Sequence, residues 1–172
     1  MPKPTPVPPP PDVDDDRFYA ELTGKDPLGV VIRGLIYIDL ELSALIEEAI
    51  YDPSHLKALK LDYSGRLNLA AALGLDGRFL PPLRALGSLR NRFAHQPNMS
   101  VSESDAQNAY EALSPHEKQI VRDSLRRVQA KLVTKGDTAF GELEPLDKLV
   151  LIMVALRAAL RAGRMQVASS AS

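Results

Sequence analysis

The stretch SLRNRFAHQP, residues 88–97, sets Arg90 five positions ahead of His95, with Asn91 directly after the arginine and Pro97 two places beyond the histidine. A histidine titrating near neutrality can take up or return a proton, and a guanidinium can grip an oxyanion with two parallel hydrogen bonds. Those are the two halves of an acid–base reaction at a phosphate or a similar anion. The same residues also have a structural reading. Arg90 could pair with Asp39 or Glu41 of the long helix predicted upstream, and His95 could simply sit well at a helix C-terminus, where the dipole favours a cation.

The helix that carries the motif limits what the pair can do. At about 100° per residue, Leu86, Leu89 and Phe93 fall within roughly 60° of one another and define a buried stripe. His95 and Asn91 lie far from that stripe and about 40° from each other, so both are expected off the core face. Arg90 lies beside the stripe, about 140° around from His95. One undistorted helix therefore cannot aim both side chains at one anion. They meet if the last turn unwinds ahead of Pro97, or if a second copy of the chain supplies the missing group.

The remaining elements are helical. Val31, Leu35, Ile38, Leu42, Leu45 and Ile46 recur at three- and four-residue spacing and predict one long helix over residues 26 to 51, stopped by Asp52-Pro53-Ser54. A second helix is expected from Ser64 as cap to Leu73, with Gly74 behind it, and a third from Pro81 to His95. Ser102 with Asp105 forms a capping box, and Ser114 with Pro115 opens a further helix. EPLDKLVLIMVALRAALRAGRM makes an apolar closing helix that Gly163 is expected to end. No segment sustains a period of two, so the fold class is all-α, a single bundle of five or six helices.

Residues 1 to 16 read differently. Seven of the first eleven are proline, and Asp12, Asp14, Asp15 and Asp16 follow. Such a segment cannot bury apolar surface and favours extended polyproline conformation, so it is expected as a disordered tail before a domain over 17 to 165, with residues 166 to 172 disordered again. The tail could also serve as a peptide ligand for a partner's aromatic groove.

Composition narrows the chemistry. The 172 residues include no cysteine, which excludes disulfides, thiol nucleophiles and iron–sulfur clusters, and the three histidines, His55, His95 and His116, are too scattered to suggest a metal site. No metal and no cofactor is expected. The longest apolar stretches are interrupted or too short for a membrane span, and the N-terminus lacks a basic-then-apolar signal pattern, so the expectation is a cytoplasmic protein with no membrane partner. A net charge of -1 argues against indiscriminate coating of nucleic acid.

Charge is nevertheless segregated. Residues 77 to 97 contain Arg78, Arg84, Arg90 and Arg92 and no acid, and after Asp147 come Lys148, Arg157, Arg161 and Arg164 with no acid either. The last three arginines recur at four- and three-residue spacing, so they share a helix face that could track a phosphate backbone, or could be an ordinary solvated face. Residues 118 to 135 add a basic stripe interrupted only by Asp123. Phe79 and Phe93 are the only aromatic residues in the basic segment around the motif, which does not suggest a base-stacking platform.

The motif RNRFAH resembles the Arg-x4-His signature of the HEPN superfamily, small all-α proteins that often act as metal-independent ribonucleases in dimers. VVIRGLIYIDLELSALIEEAI, then YSGRLNLAAALGL, then LRALGSLRNRFAHQP are together similar to the mannitol operon repressor family, a branch with a HEPN-like fold. The three blocks cover roughly residues 26 to 100. Carried over residue by residue, the resemblance implies His95 as general base or acid, Arg90 as the group stabilising phosphate charge, and Asn91 as the residue orienting them. A histidine can then remove the ribose 2′-hydroxyl proton, giving a 2′,3′-cyclic phosphate and a 5′-hydroxyl. Arg84, Arg92, Arg157, Arg161 and Arg164 are the candidate RNA-binding residues. The resemblance implies a homodimeric endoribonuclease, a toxin or a stress or defence effector, with RNA as substrate and an antitoxin or regulatory protein as possible partner. The alternative is a non-catalytic transcriptional or metabolic regulator like the mannitol operon repressor, acting through protein contacts. A recognition helix with an evident basic face is not legible, so direct reading of a DNA major groove is doubtful. A third alternative is a helical interaction module that displays the polyproline tail.

Overall fold

The computed structural model describes residues 15–22, 26–96, 100–132 and 139–170, with the side chains of 15, 16, 19, 127–132 and 167–170 left aside. The described residues are helical with no strand, as the apolar spacings require. They form α1 (Asp15–Leu22), α2 (Pro27–Ala49), α3 (Tyr63–Ala72), α4 (Leu80–His95), α5 (Glu103–Glu111), α6 (Pro115–Leu132) and α7 (Pro145–Ser170), with 3-10 turns at Pro53–Leu59, Gly77–Phe79 and Phe140–Glu142. No helix among the described residues is long and apolar enough to cross a membrane.

Local chemistry explains the boundaries. Pro27 opens α2 behind an extended Asp26, where a missing N–H costs nothing. Asp52 accepts from the Ser54 amide at 3.0 Å and starts the 3-10 turn, and Asp62 accepts from the Gly65 amide at 2.7 Å and caps α3. The cap of α3 is thus Asp62 and not Ser64, because a carboxylate two residues earlier reaches the free amides first. Gly74, at φ +106°, turns the chain behind α3 in the left-handed region open to glycine. The expected capping box of Ser102 and Asp105 is present in both directions.

Three expectations are corrected. Residues 1–14 lie outside the described residues, but Asp15 and Asp16 already belong to α1, so the domain begins two residues before 17. The closing helix does not stop at Gly163. A glycine inside a helix costs only about 1 kcal/mol relative to alanine, and the apolar face of α7 packs along the full length of α2. The helix therefore runs to Ser170, which also overturns a disordered segment from 166. Seven α-helices stand among the described residues rather than five or six, the extra one being α1, whose Phe18 and Leu22 are buried.

The core is built on α2 and α7, which lie side by side and run in the same direction. Met153 closes on Gly34 so tightly that a Cβ there would meet its sulfur at 2.6 Å, and a Cβ at Gly163 would lie in van der Waals contact with Leu45 at 3.6 Å. Between these points Val30, Val31, Leu35, Ile38 and Leu42 of α2 pack with Leu149, Ile152, Leu156 and Leu160 of α7. The helix α1 lies antiparallel to α2, with Phe18 edge-on to Tyr37 at 5.0 Å and Leu22 against Gly34. Helices α3 and α4 pack on α2 and on each other, while α5 and α6 pack on α7.

A buried charge cluster lies inside this pairing. Glu41 and Glu48 are seven residues apart on α2 and face Arg157, Arg161 and Arg164 on α7. Arg157 Nε stands 3.3 Å from Glu41, which accepts from Arg164 Nη1 at 3.2 Å and has Arg161 Nε at 3.9 Å, and Arg164 Nε stands 3.4 Å from Glu48. Arg157 is 3% exposed and Glu41 5%, and the Arg157 guanidinium lies 4.2 Å over the Phe18 ring. Buried carboxylates and guanidiniums are tolerated because each offsets the other's lost hydration. Glu41→Gln is expected to destabilise the fold by about 3 kcal/mol or more, since it strands several cations in low dielectric. The check is chemical unfolding at neutral pH, with the exposed Glu47→Gln changing stability by less than about 0.5 kcal/mol.

Candidate functional site

The motif occupies the C-terminal half of α4. Pro81 and Pro82 fall in its first turn, where they are tolerated, and Leu83, Leu86, Leu89 and Phe93 form the buried stripe. The helix stays regular to its end: the Gln96 amide still bonds the Arg92 carbonyl at 3.0 Å. Residues 97–99 lie outside the description. The unwinding that would bring Arg90 and His95 together within one chain is therefore absent through His95.

The three residues of the motif face two ways. Asn91 and His95, one turn apart, are exposed on the solvent side. Arg90 is half-buried and turns toward α3. Leu83, Gly87 and Arg90 follow one another along one face of α4, and Tyr63 lies across that face. Its hydroxyl donates to the Leu83 carbonyl at 2.8 Å, and its ring so fills the space above Gly87 that a Cβ would meet a ring carbon at 2.6 Å. Burial drives the Tyr63 hydroxyl to titrate well above the usual tyrosine range, with Asp39 adding to the rise and Arg90 and Arg66 opposing it.

Neither of the acids proposed as structural partners holds Arg90. Asp39 is gripped by Arg66, whose Nε and Nη2 donate to its two carboxylate oxygens at 2.8 and 2.7 Å, and Glu41 faces the arginines of α7. Among the described residues Arg90 makes no ion pair or side-chain hydrogen bond. The same holds for His95 and Asn91.

The candidate RNA-binding arginines separate. Arg84 is exposed and donates to Asn68 Oδ1 at 3.4 Å. Arg92 pairs with the buried Asp105 and ties the end of α4 to the start of α5. Arg157, Arg161 and Arg164 do share one helix face, as their spacing requires, but that face is turned inward onto Glu41 and Glu48. The expectation that this row could track a phosphate backbone is corrected: its guanidiniums are committed to carboxylates in the core. Arg78, which the spacing did not single out, bridges Asp76 and the buried Glu117, both at 3.4 Å. In the stripe over 118 to 135, Lys118 pairs with Glu111 and Arg126 with Asp123, and the residues from 133 lie outside the description. Among the described residues, no three His, Asp or Glu side chains gather as a metal site needs.

One further cavity, of about 660 Å³, opens away from the motif, between the C-terminal turns of α2 and α3, the first turn of α6 and the later turns of α7. Its walls are mainly Leu45, Leu73, Leu75, Phe79 and Ile120, with His116 and the Arg78–Glu117 pair at the rim. Sequence spacing gave no hint of it, because it forms where segments far apart in the chain meet.

No known protein family, curated protein or solved structure matches the chain.

The Arg92–Asp105 contact has a pH signature. Burial alone would raise the Asp105 carboxyl, but hydrogen bonds from Arg92 and from the Ser102 amide and hydroxyl outweigh it and hold the group below the usual aspartate range. A depressed folded-state value stabilises above the unfolded value, near 3.9, and the contribution is lost as pH falls through the folded one. Asp105→Asn should therefore reduce stability at pH 7 by about 2 kcal/mol or more and flatten the loss of stability below about pH 4. Thermal unfolding of both proteins across pH 3 to 7 measures this. An unchanged acid limb would contradict the assignment.

Proposed function

We propose that the chain is a metal-independent endoribonuclease of the HEPN type, acting as a homodimer with the C-terminal end of α4 at the interface. The observation that carries this reading is the condition of the motif: Arg90 is half-buried with no acid on it among the described residues, and Asn91 and His95 stand exposed at the same helix end. An arginine held in place without a carboxylate partner is ready for an anion. His95 would remove the ribose 2′-hydroxyl proton and return a proton to the leaving 5′-oxygen, Arg90 would pair with the non-bridging phosphate oxygens, and Asn91 would orient them.

The regularity of α4 supports the dimer. Because Arg90 and His95 point about 140° apart on one straight helix, a shared active centre needs His95 from one copy and Arg90 from the other. An apolar surface suited to self-association lies on α2, where Ile36 is 49% and Leu40 47% exposed, either side of Asp39.

One observation favours the second reading, a non-catalytic regulator resembling the mannitol operon repressor. The inward-facing row on α7 removes the longest candidate track for RNA, and the exposed Ile36 and Leu40 suit protein contacts equally well.

With EDTA present, the purified protein should cut single-stranded or loop RNA and leave 2′,3′-cyclic phosphate ends. His95→Ala should lower the rate by about a hundredfold or more with unchanged far-ultraviolet circular dichroism, and Arg90→Lys should be comparably impaired because an ammonium lacks the planar fork. Equal cleavage by wild type and His95→Ala would mark a contaminant and leave the regulator as the better account.

A further inference from the structure

The cavity between the ends of α2 and α3, the start of α6 and the later turns of α7 shares no residue with the motif, and its volume of about 660 Å³ falls in the range of small-molecule sites. Its α7 wall is made of small residues, Ala159, Ala162 and Gly163, which three- and four-residue spacing puts on one face. Glycine is a poor helix former, and packing does not demand one at 163. At Gly34 and Gly87 a Cβ would meet a neighbouring side chain at 2.6 Å, whereas at Gly163 it would meet only Leu45 among the described residues, at an ordinary 3.6 Å. Gly163 and Leu45 both line the cavity, so the missing side chain widens it instead of admitting a neighbouring helix.

The polar groups on the walls are uneven in charge. Asp76 and the buried Glu117 each stand 3.4 Å from Arg78 Nε, so one guanidinium answers two carboxylates at the rim. The other group on Glu117, the Ser114 hydroxyl that donates to it, is neutral. Glu48 adds a third carboxylate to the lining. Its Oε1 stands 3.4 Å from Arg164 Nε, but Arg164 is shared, its Nη1 donating to Glu41 at 3.2 Å. Glu48 Oε2 is buried and accepts no hydrogen bond among the described residues, a costly state for a carboxylate oxygen. Burial accordingly raises the Glu48 carboxyl above its ordinary value, with Arg164 opposing the rise. The side chain as a whole is 22% exposed, and the last torsion of a glutamate is soft, so Oε2 can turn to a donor that enters the cavity.

We infer that this cavity is a binding site for a small organic cation, a primary ammonium on an apolar body. The ammonium pairs with Glu48, and the body lies between Leu73, Leu75, Phe79 and Ile120 on one side and the small residues of α7 on the other. An anion would face the excess of carboxylates, and a neutral donor would satisfy Oε2 but leave that excess in place. The site does not depend on the reading of Arg90 and His95.

The test uses hexylamine, hexan-1-ol and hexanoate, equal in chain length and different in charge, titrated at pH 7 into the full chain while the Gly74 and Gly163 amide signals are followed by nuclear magnetic resonance. Hexylamine should shift both signals with an affinity of about millimolar and bind roughly fivefold tighter than the alcohol or the carboxylate. Glu48→Gln should bring hexylamine to within about twofold of hexan-1-ol, while Glu47→Gln, which removes the same charge from the exposed neighbour, should keep the preference. Ala162→Phe, at an exposed position on the α7 wall, should weaken hexylamine by at least about fivefold with unchanged far-ultraviolet circular dichroism, and decides the matter together with the three probes if Glu48→Gln does not fold. The inference is overturned if hexan-1-ol or hexanoate binds as tightly as hexylamine, if Glu48→Gln keeps the preference or Glu47→Gln abolishes it, if Ala162→Phe binds as wild type does, or if the shifts gather around Ile36 and Leu40 on α2 instead.

Discussion

The fold depends on one contact, the burial of Glu41 among Arg157, Arg161 and Arg164 where α2 and α7 run side by side. Parallel neighbours align their dipoles unfavourably and need a long connection, so something must hold them in register. Apolar ridges alone could slip by a turn. A buried carboxylate must meet guanidiniums or else remain charged in low dielectric, so Glu41 and Glu48 together restrict α2 to alignments that keep both beside the α7 arginines. The face of the Phe18 ring under Arg157 extends the same constraint to α1, which explains why a short helix next to an acidic, proline-rich segment is part of the core.

From that central pair the other arginines acquire their meaning by what is left to bind. Arg66 takes Asp39, Arg92 takes Asp105, and Arg78 takes Asp76 and Glu117. Each of these pairs joins two elements that are far apart in sequence or turns a helix end toward its neighbour. Arg90 differs from these in making no ion pair among the described residues. The polar logic of the molecule is thus one of allocation: carboxylates are matched to structural arginines, and the motif arginine is left over at a half-buried position beside Tyr63.

The capping chemistry contributes in a second way. Asp105 both closes the capping box of α5 and receives Arg92 from the last turn of α4, so the start of one helix fixes the end of the other. His95 and Asn91 project from a helix end that is anchored on its buried side by Phe93 and on its flank by Arg92, which gives two exposed polar groups a rigid base.

Much of this was legible in the residues themselves. The all-α class, the extent of α2, the start of α4 and the Ser102–Asp105 capping box follow from periodicity and local hydrogen bonding, which act over three or four residues and need no knowledge of the rest of the chain. The placement of Asn91 and His95 off the core face follows from helical angle alone. Sequence misjudged those features whose physical cause is long-range. The row of Arg157, Arg161 and Arg164 looks the same whether it faces solvent or a glutamate 116 or more residues earlier, and only the meeting of α2 with α7 decides. Gly163 reads as a stop until packing outweighs its intrinsic cost, and α1 reads as tail until Phe18 finds Tyr37 and Arg157. Spacing determined that Arg90 and His95 diverge on one helix; the tertiary structure decided that Asp39 pairs with Arg66 and not with Arg90, because that pairing is made between α2 and α3, outside the motif.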